Sequence, residues 1–272
     1  MPKIGMPSCA MMATRWITPL RVAAENGFEA YEITCVYPSA EPENTPPEVI
    51  AKARDILEKS GMEVCVHAPF FDMNIAAFSP GIRKASVQIT QKTVDFCAEV
   101  GGKAMIVHSG TQTYEQIKGM PKEENPLFKI QWDNNIDSLK QINDYANVKG
   151  ITVCLENIGF NSVDQSFQDL LEIRKAVGES LQFTLDFGHA RLGEGAEEGI
   201  RLLGDNIKHI HLHDNHGKKD DHLPVGDGNY DFSGFIDFFK NYPHIITLEV
   251  SDISRDPQPT LRSRDNFQRL LS

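Results

Sequence analysis

The feature that most restricts what this chain can fold into is an alternation repeated eight times: a short apolar run, then a longer amphipathic one. The short runs are KIGMPSCA, AYEITCV, MEVCVHAPF, KAMIVHSG, ITVCLENIG, LQFTLDFGHA, IKHIHLHDN and HIITLEV. Each has the length of a strand and is bounded by turn residues. The segments between them, from TPLRVAAENG and PPEVIAKARDILEKSG to the terminal LRSRDNFQRLLS, have helical spacing, with glycines such as Gly27 and Gly61 at their ends. Strand followed by helix demands a parallel sheet with crossover connections, and eight such units close a barrel. The expected fold is α/β, a single-domain (β/α)8 TIM barrel over residues 1–272. An open doubly wound sheet would need a glycine-rich turn after a strand, and the sequence has none.

Charge narrows the partners. A formal net charge of −11 over 272 residues opposes general electrostatic attraction to a polyanion, so a small-molecule substrate is favoured over nucleic acid. The five cysteines are odd in number and form no CxxC pair; Cys9, Cys35, Cys65 and Cys154 lie in strand-like runs and Cys97 in a helical one. They read as buried reduced thiols, which points to a reducing, cytoplasmic setting. No stretch approaches the apolar length of a membrane span.

Chemistry collects where the strands end. The third ends in His67, the fourth in His108, the fifth in Glu156, the sixth in Asp186 with His189 three residues on, the seventh in His211 and the eighth in Glu249. In a barrel these ends share one face, the one that carries active sites. Imidazole and carboxylate without thiolate suit Mn²⁺, Zn²⁺, Co²⁺ or Fe²⁺, with Mg²⁺ also compatible. Glu156, Asp186, His211 and Glu249 would hold one such cation from four neighbouring strands. The segment His209–Asp231 holds five of the nine histidines. In it His209 reads as packing one pleat deeper than His211, while His213 and His216 have no assigned role. Beyond them Gly226 and Gly228 would either present backbone N–H groups to an anion, with Lys218, Lys219 and His222 nearby, or simply permit turns.

The words VHAPF, IVHSG, LENIG, LDFGHA, HLHD, DHLPVGDG and LEV, in this order from about Gly5 to Glu249, resemble the xylose isomerase-like TIM barrels. That superfamily contains sugar-phosphate isomerases and epimerases and also endonuclease IV. The resemblance implies a metal on Glu156, Asp186, His211 and Glu249, with Glu156 and Glu249 also passing a proton on either side of a substrate carbon and His189 orienting the substrate. Glu32, His67, His108 and His222 would line the substrate pocket. Endonuclease IV implies more: a zinc on His67, His108 and Glu156, a second on the central four residues, and a third on His189, Asp220 and His222.

The reading that follows is a divalent-metal-dependent isomerase or epimerase acting on a sugar or sugar phosphate through an enediolate. The alternative is a zinc phosphodiesterase acting on abasic DNA. The chain departs from ketose 3-epimerases at Ser162 and Gly217, where those enzymes carry a glutamate and an arginine, so a free ketohexose is a poor fit. Trp16, Trp132, Tyr37, Phe70, Phe71 and Phe160 are candidates for apolar walls. A homo-oligomer is compatible with this reading.

Overall fold

A computed structural model describes residues 2–113, 124–159 and 161–272. Eight strands close a barrel in sequence order, every neighbouring pair parallel. They are β1 (Lys3–Pro7), β2 (Ala30–Thr34), β3 (Glu63–His67), β4 (Ala104–Val107), β5 (Thr152–Glu156), β6 (Gln182–Asp186), β7 (Ile207–His211) and β8 (Ile245–Thr247). Around them run α1 (Ile17–Glu25), α2 (Pro47–Ser60), α3 (Pro80–Val100), α4 (Pro126–Val148), α5 (Phe167–Val177), α6 (Phe187–Leu192), α7 (Ala196–Leu203), α8 (Ile236–Asn241) and α9 (Gln258–Leu271). The expected single barrel is the observed fold.

Local chemistry sets the element ends. Gly61 closes α2 in the left-handed conformation, φ 70°, which the absence of a Cβ makes inexpensive. Asn125 and Ser166 cap α4 and α5 through side-chain oxygens that accept from the first free backbone N–H groups. Two runs end earlier than their hydrophobicity suggests. In KIGMPSCA the last three residues enter a 3-10 turn, Ser8–Met11. In LQFTLDFGHA the strand stops at Asp186, whose Oδ1 accepts from the His189 N–H at 2.6 Å and so starts α6. A carboxylate at the N-cap satisfies an orphan donor and complements the helix dipole, which overrides the apolar continuation of the strand.

Register aligns the strand ends. Between β6 and β7 the pairing slips by one residue, Phe183 against Ile207 but Thr184 against His209. Because side chains alternate with period two, that slip places Asp186 directly beside His211.

Aromatic packing lies mainly outside the barrel. Trp16 is buried edge-on to Phe96 at 5.7 Å, and Trp132 packs on Phe128, so neither tryptophan forms a substrate wall. Phe160 lies outside the described residues. All five cysteines are buried and free. Burial pushes their thiols up, most strongly by desolvation, which fits inert packing.

The loop from β7 to α8 is built on one carboxylate. Asp214, buried, accepts from the backbone N–H groups of Asn215 (2.8 Å), Gly226 (3.0 Å), Gly228 (3.1 Å) and Tyr230 (3.0 Å). Its own N–H and C=O pair with Leu223, tying the loop back to the end of β7. At Gly228 a Cβ would sit 2.3 Å from Asp214 Oδ1, so the close approach requires glycine. Of the two readings of these glycines, the structure supports the turn over the anion-binding nest: Gly226 and Gly228 spend their N–H groups on Asp214. Substituting Asp214 with Ala strands these donors and should destabilise the protein by about 3 kcal/mol or more, measured by denaturant unfolding. Accelerated proteolysis within residues 215–230 should accompany the loss.

Candidate metal centre

The ends of β5 to β8 meet at Glu156. His211 Nδ1 stands 3.1 Å from Glu156 Oε1, 3.2 Å from Glu249 Oε2 and 3.8 Å from Asp186 Oδ2. The other nitrogen of that ring, Nε2, donates to Glu32 Oε2 at 3.0 Å. Burial would lower His211, but Glu249, Glu156 and Glu32 hold it well above the ordinary imidazole range, so both ring nitrogens donate to carboxylates, and a cation among the front three would take the place of the Nδ1 proton. One donor atom from each of Glu156, Asp186, His211 and Glu249 lies within 4.8 Å of every other.

The second oxygen of Glu156 serves another group. Oε2 faces His108 Nε2 at 3.2 Å and His67 Nε2 at 3.3 Å. His67 Nδ1 is 2.8 Å from the carbonyl of Ala68, which can only accept, so that ring keeps an N–H there and turns Nε2 toward the carboxylate. Phe70 stacks on His108 with centroids 4.9 Å apart and meets His67 edge-on at 5.2 Å, an apolar cover over the pair.

A third group lies under the β7–α8 loop. His189 Nε2 and His222 Nε2 approach Asp220 Oδ2 at 3.1 and 2.8 Å, and His213 Nε2 lies 3.5 Å from Asp220 Oδ1. His189 reaches this place from the first turn of α6, and His222 from a backbone at φ 46°.

The electrostatics favour positive charge in the central and outer groups, whereas burial lowers His108 in the second. Burial would raise the Glu156 carboxyl, but His211 and His108 hold it well below the usual range. Burial would lower His189 and His222. Asp186 and Asp220 instead push His189 up to about 10, and Glu249 and Asp220 push His222 up to about 9. The potential at this end of the barrel thus stabilises positive charge. Buried atoms left without a hydrogen-bond partner among the described residues include Asp186 Oδ2, Glu249 Oε2, His213 Nε2 and Asp220 Oδ1. Unpaired buried donors and acceptors are costly, and all four point into these clusters. The residues present fit divalent cations.

Sequence reasoning placed Glu156, Asp186, His211, Glu249, His67, His108, His189, Asp220 and His222 at this face, and the structure gathers all nine. Two assignments change. Glu32 does not line an open pocket: it is wholly buried, accepts from both His211 and His209, and lies near the Cys65 thiol. It is the middle residue of β2, and its side chain points inward beneath His211. Burial would raise its carboxyl, but His211 and His209 hold it well below the usual range. His213, given no role from sequence, belongs to the third group; the HxHxH alternation of His209, His211 and His213 was the available signal. His209 is packing, as expected, bonded to Glu32 and Thr247. Of the aromatic candidates, Phe70 covers the histidine pair, Phe71 is exposed beside it, and Tyr37 is bonded to Glu43.

Known proteins share this arrangement of sequence and fold. The uncharacterized protein MJ1311 of Methanocaldococcus jannaschii is 30% identical over 262 residues, which are 92% of this chain and 84% of that protein. A probable endonuclease 4 of Mycobacterium leprae is 26% identical over 226 residues, 78% of this chain and 81% of its own. Among solved structures, a D-tagatose 3-epimerase-like protein superposes with a TM-score of 0.82 at 28% identity, covering 99% of this chain and 97% of that one. The family model described as xylose isomerase-like TIM barrel matches residues 20–270, and no long apolar helix that could cross a membrane occurs among the described residues. A match of that extent, on a closed eight-stranded barrel, means that the chain belongs to the xylose isomerase-like TIM barrel family.

Proposed function

We propose that this protein is a divalent-metal-dependent hydrolase of a phosphate ester on a small, oxygen-rich substrate. One observation carries the reading: Glu156 offers one oxygen to His67 and His108 and the other to His211, and so joins two adjacent donor sets. A pair of cations held this way would polarise the phosphoryl oxygens and make a water more acidic, the division of labour suited to in-line displacement. Water adds its oxygen to phosphorus, the ester P–O bond breaks, and the alcohol leaves with a proton. The chain's own part is to hold the donors rigid. Glu32 orients His211, the Ala68 carbonyl orients His67, and Phe70 shields the histidine pair from bulk water.

The isomerase reading needs a Glu156 oxygen to exchange its imidazole contact for a substrate proton, while Glu249 Oε2 is already without a hydrogen-bond partner among the described residues. A DNA substrate fits poorly. The loops after β2, β3 and β5 carry no lysine or arginine, and the chain is strongly acidic.

A second reading keeps one specific support. The quartet Glu156, Asp186, His211 and Glu249 is by itself a complete single-cation set, and the likeness of the chain as a whole to a D-tagatose 3-epimerase-like protein favours isomerisation or epimerisation of a sugar with Glu156 and Glu249 as base and acid. His189 would orient that substrate.

Two variants and one isotope separate these readings. Under the hydrolase, phosphate released from a sugar phosphate in ¹⁸O-water carries one solvent oxygen. His67→Asn or His108→Asn then lowers kcat by about 100-fold. Under the isomerase, solvent deuterium enters the carbon skeleton, and the same two variants keep kcat within a few-fold. Glu156→Gln should lower turnover by at least about 100-fold in either case, with the fold intact by circular dichroism. Full activity of Glu156→Gln would remove both.

A further inference from the structure

The outer group differs from the other two in having a donor beyond the three that the family resemblance supplies. His189, Asp220 and His222 were expected there, and His213 joins them, with donor atoms of all four residues within 4.8 Å of one another. Each of the three rings has its Nδ1 against a backbone carbonyl: Asn157 for His189 (3.1 Å), Glu249 for His222 (3.0 Å) and Asp214 for His213 (3.4 Å). A carbonyl only accepts, so all three rings keep an N–H on that side and turn Nε2 toward the Asp220 carboxylate, where a proton or a cation must lie between ring and anion. His213 Nε2 and Asp220 Oδ1 are buried and unbonded.

The surrounding chain makes room for the extra ring. A Cβ on Gly188 would lie 1.9 Å from His213 Cε1, so the ring occupies the space a side chain would take in the first turn of α6. The His213 and His222 rings stack at 4.0 Å, and the Asp214–Leu223 bridge holds their backbones together. Sites with four protein donors are characteristically structural, whereas catalytic sites keep a position open.

We infer that His213 is a fourth protein ligand that closes the outer group into a structural, zinc-type N₃O site, one that pins the β7–α8 loop to the barrel and takes no part in turnover. The inference rests on the paired-cation reading only in leaving catalysis to the two groups joined by Glu156. A closed tetrahedral set selects zinc or cobalt over magnesium.

The test uses the zinc-loaded full chain, wild type beside His213→Asn and Gly188→Ala, the latter displacing the ring without deleting it. In wild type one zinc should resist a competing chelator after the others have left. Both variants should hold that zinc about 10–100-fold less tightly and keep the remaining ions. Cobalt placed in the outer site should give an intense tetrahedral spectrum in wild type that weakens in both variants. Thermal unfolding of the metal-free proteins should agree, while zinc raises the Tm of wild type more. If His213→Asn does not fold without metal, Gly188→Ala carries the comparison. Unchanged zinc affinity and cobalt spectrum in the folded variants would overturn the inference. Failure of the ¹⁸O experiment with this zinc pattern intact would remove the hydrolase reading alone.

Discussion

The arrangement turns on one buried carboxylate. Glu156 is almost completely withdrawn from water, and its charge is tolerable only because imidazoles face both oxygens. Two of these imidazoles are held from behind: His211 by Glu32 and His67 by the Ala68 carbonyl. The residue after Glu156 adds to the same lattice, since Asn157 bonds both the N–H and the carbonyl of Asp186 and so ties the end of β5 to the end of β6. Such a buried polar network is stable only when its members are satisfied, and Asp186 Oδ2, Glu249 Oε2, His213 Nε2 and Asp220 Oδ1, among the unpaired buried atoms of the described residues, face the clusters.

The barrel makes this possible by geometry. Parallel strands deliver their C-terminal ends to a single face, and the one-residue slip between β6 and β7 turns Asp186 and His211 to the same side. The last component is not a strand end. Asp220 and His222 come from a loop whose shape is set by Asp214 gathering four N–H groups. Placing two donors on that loop makes its folding and the outer group interdependent.

Much of this was legible beforehand because strand, helix and strand-end chemistry are local properties. The eight repeats specified the barrel, and the position of each imidazole or carboxylate at or just after a run's end placed seven donors on one face, with Asp220 and His222 added from the loop after the seventh run. What was not legible depends on contacts between distant segments. Glu32 and His209 are 177 residues apart, and only barrel closure sets one beneath the other. Likewise the glycines of VGDG looked open to an external anion, because nothing local reveals that Asp214 already occupies their N–H groups. The end of the sixth strand at Asp186 was legible, but the helix that this carboxylate starts by capping the His189 N–H was not. His213 was passed over because its partner donors lie on α6 and on the far side of the loop.

The claim that Glu156 joins two cation positions can be read directly from magnetism. With the outer group filled by zinc and the remaining positions by Mn²⁺, electron paramagnetic resonance should show an exchange-coupled manganese pair, and Glu156→Gln should abolish the coupling. A spectrum of isolated Mn²⁺ alone, at every loading up to saturation, would contradict a shared carboxylate and leave a single central cation.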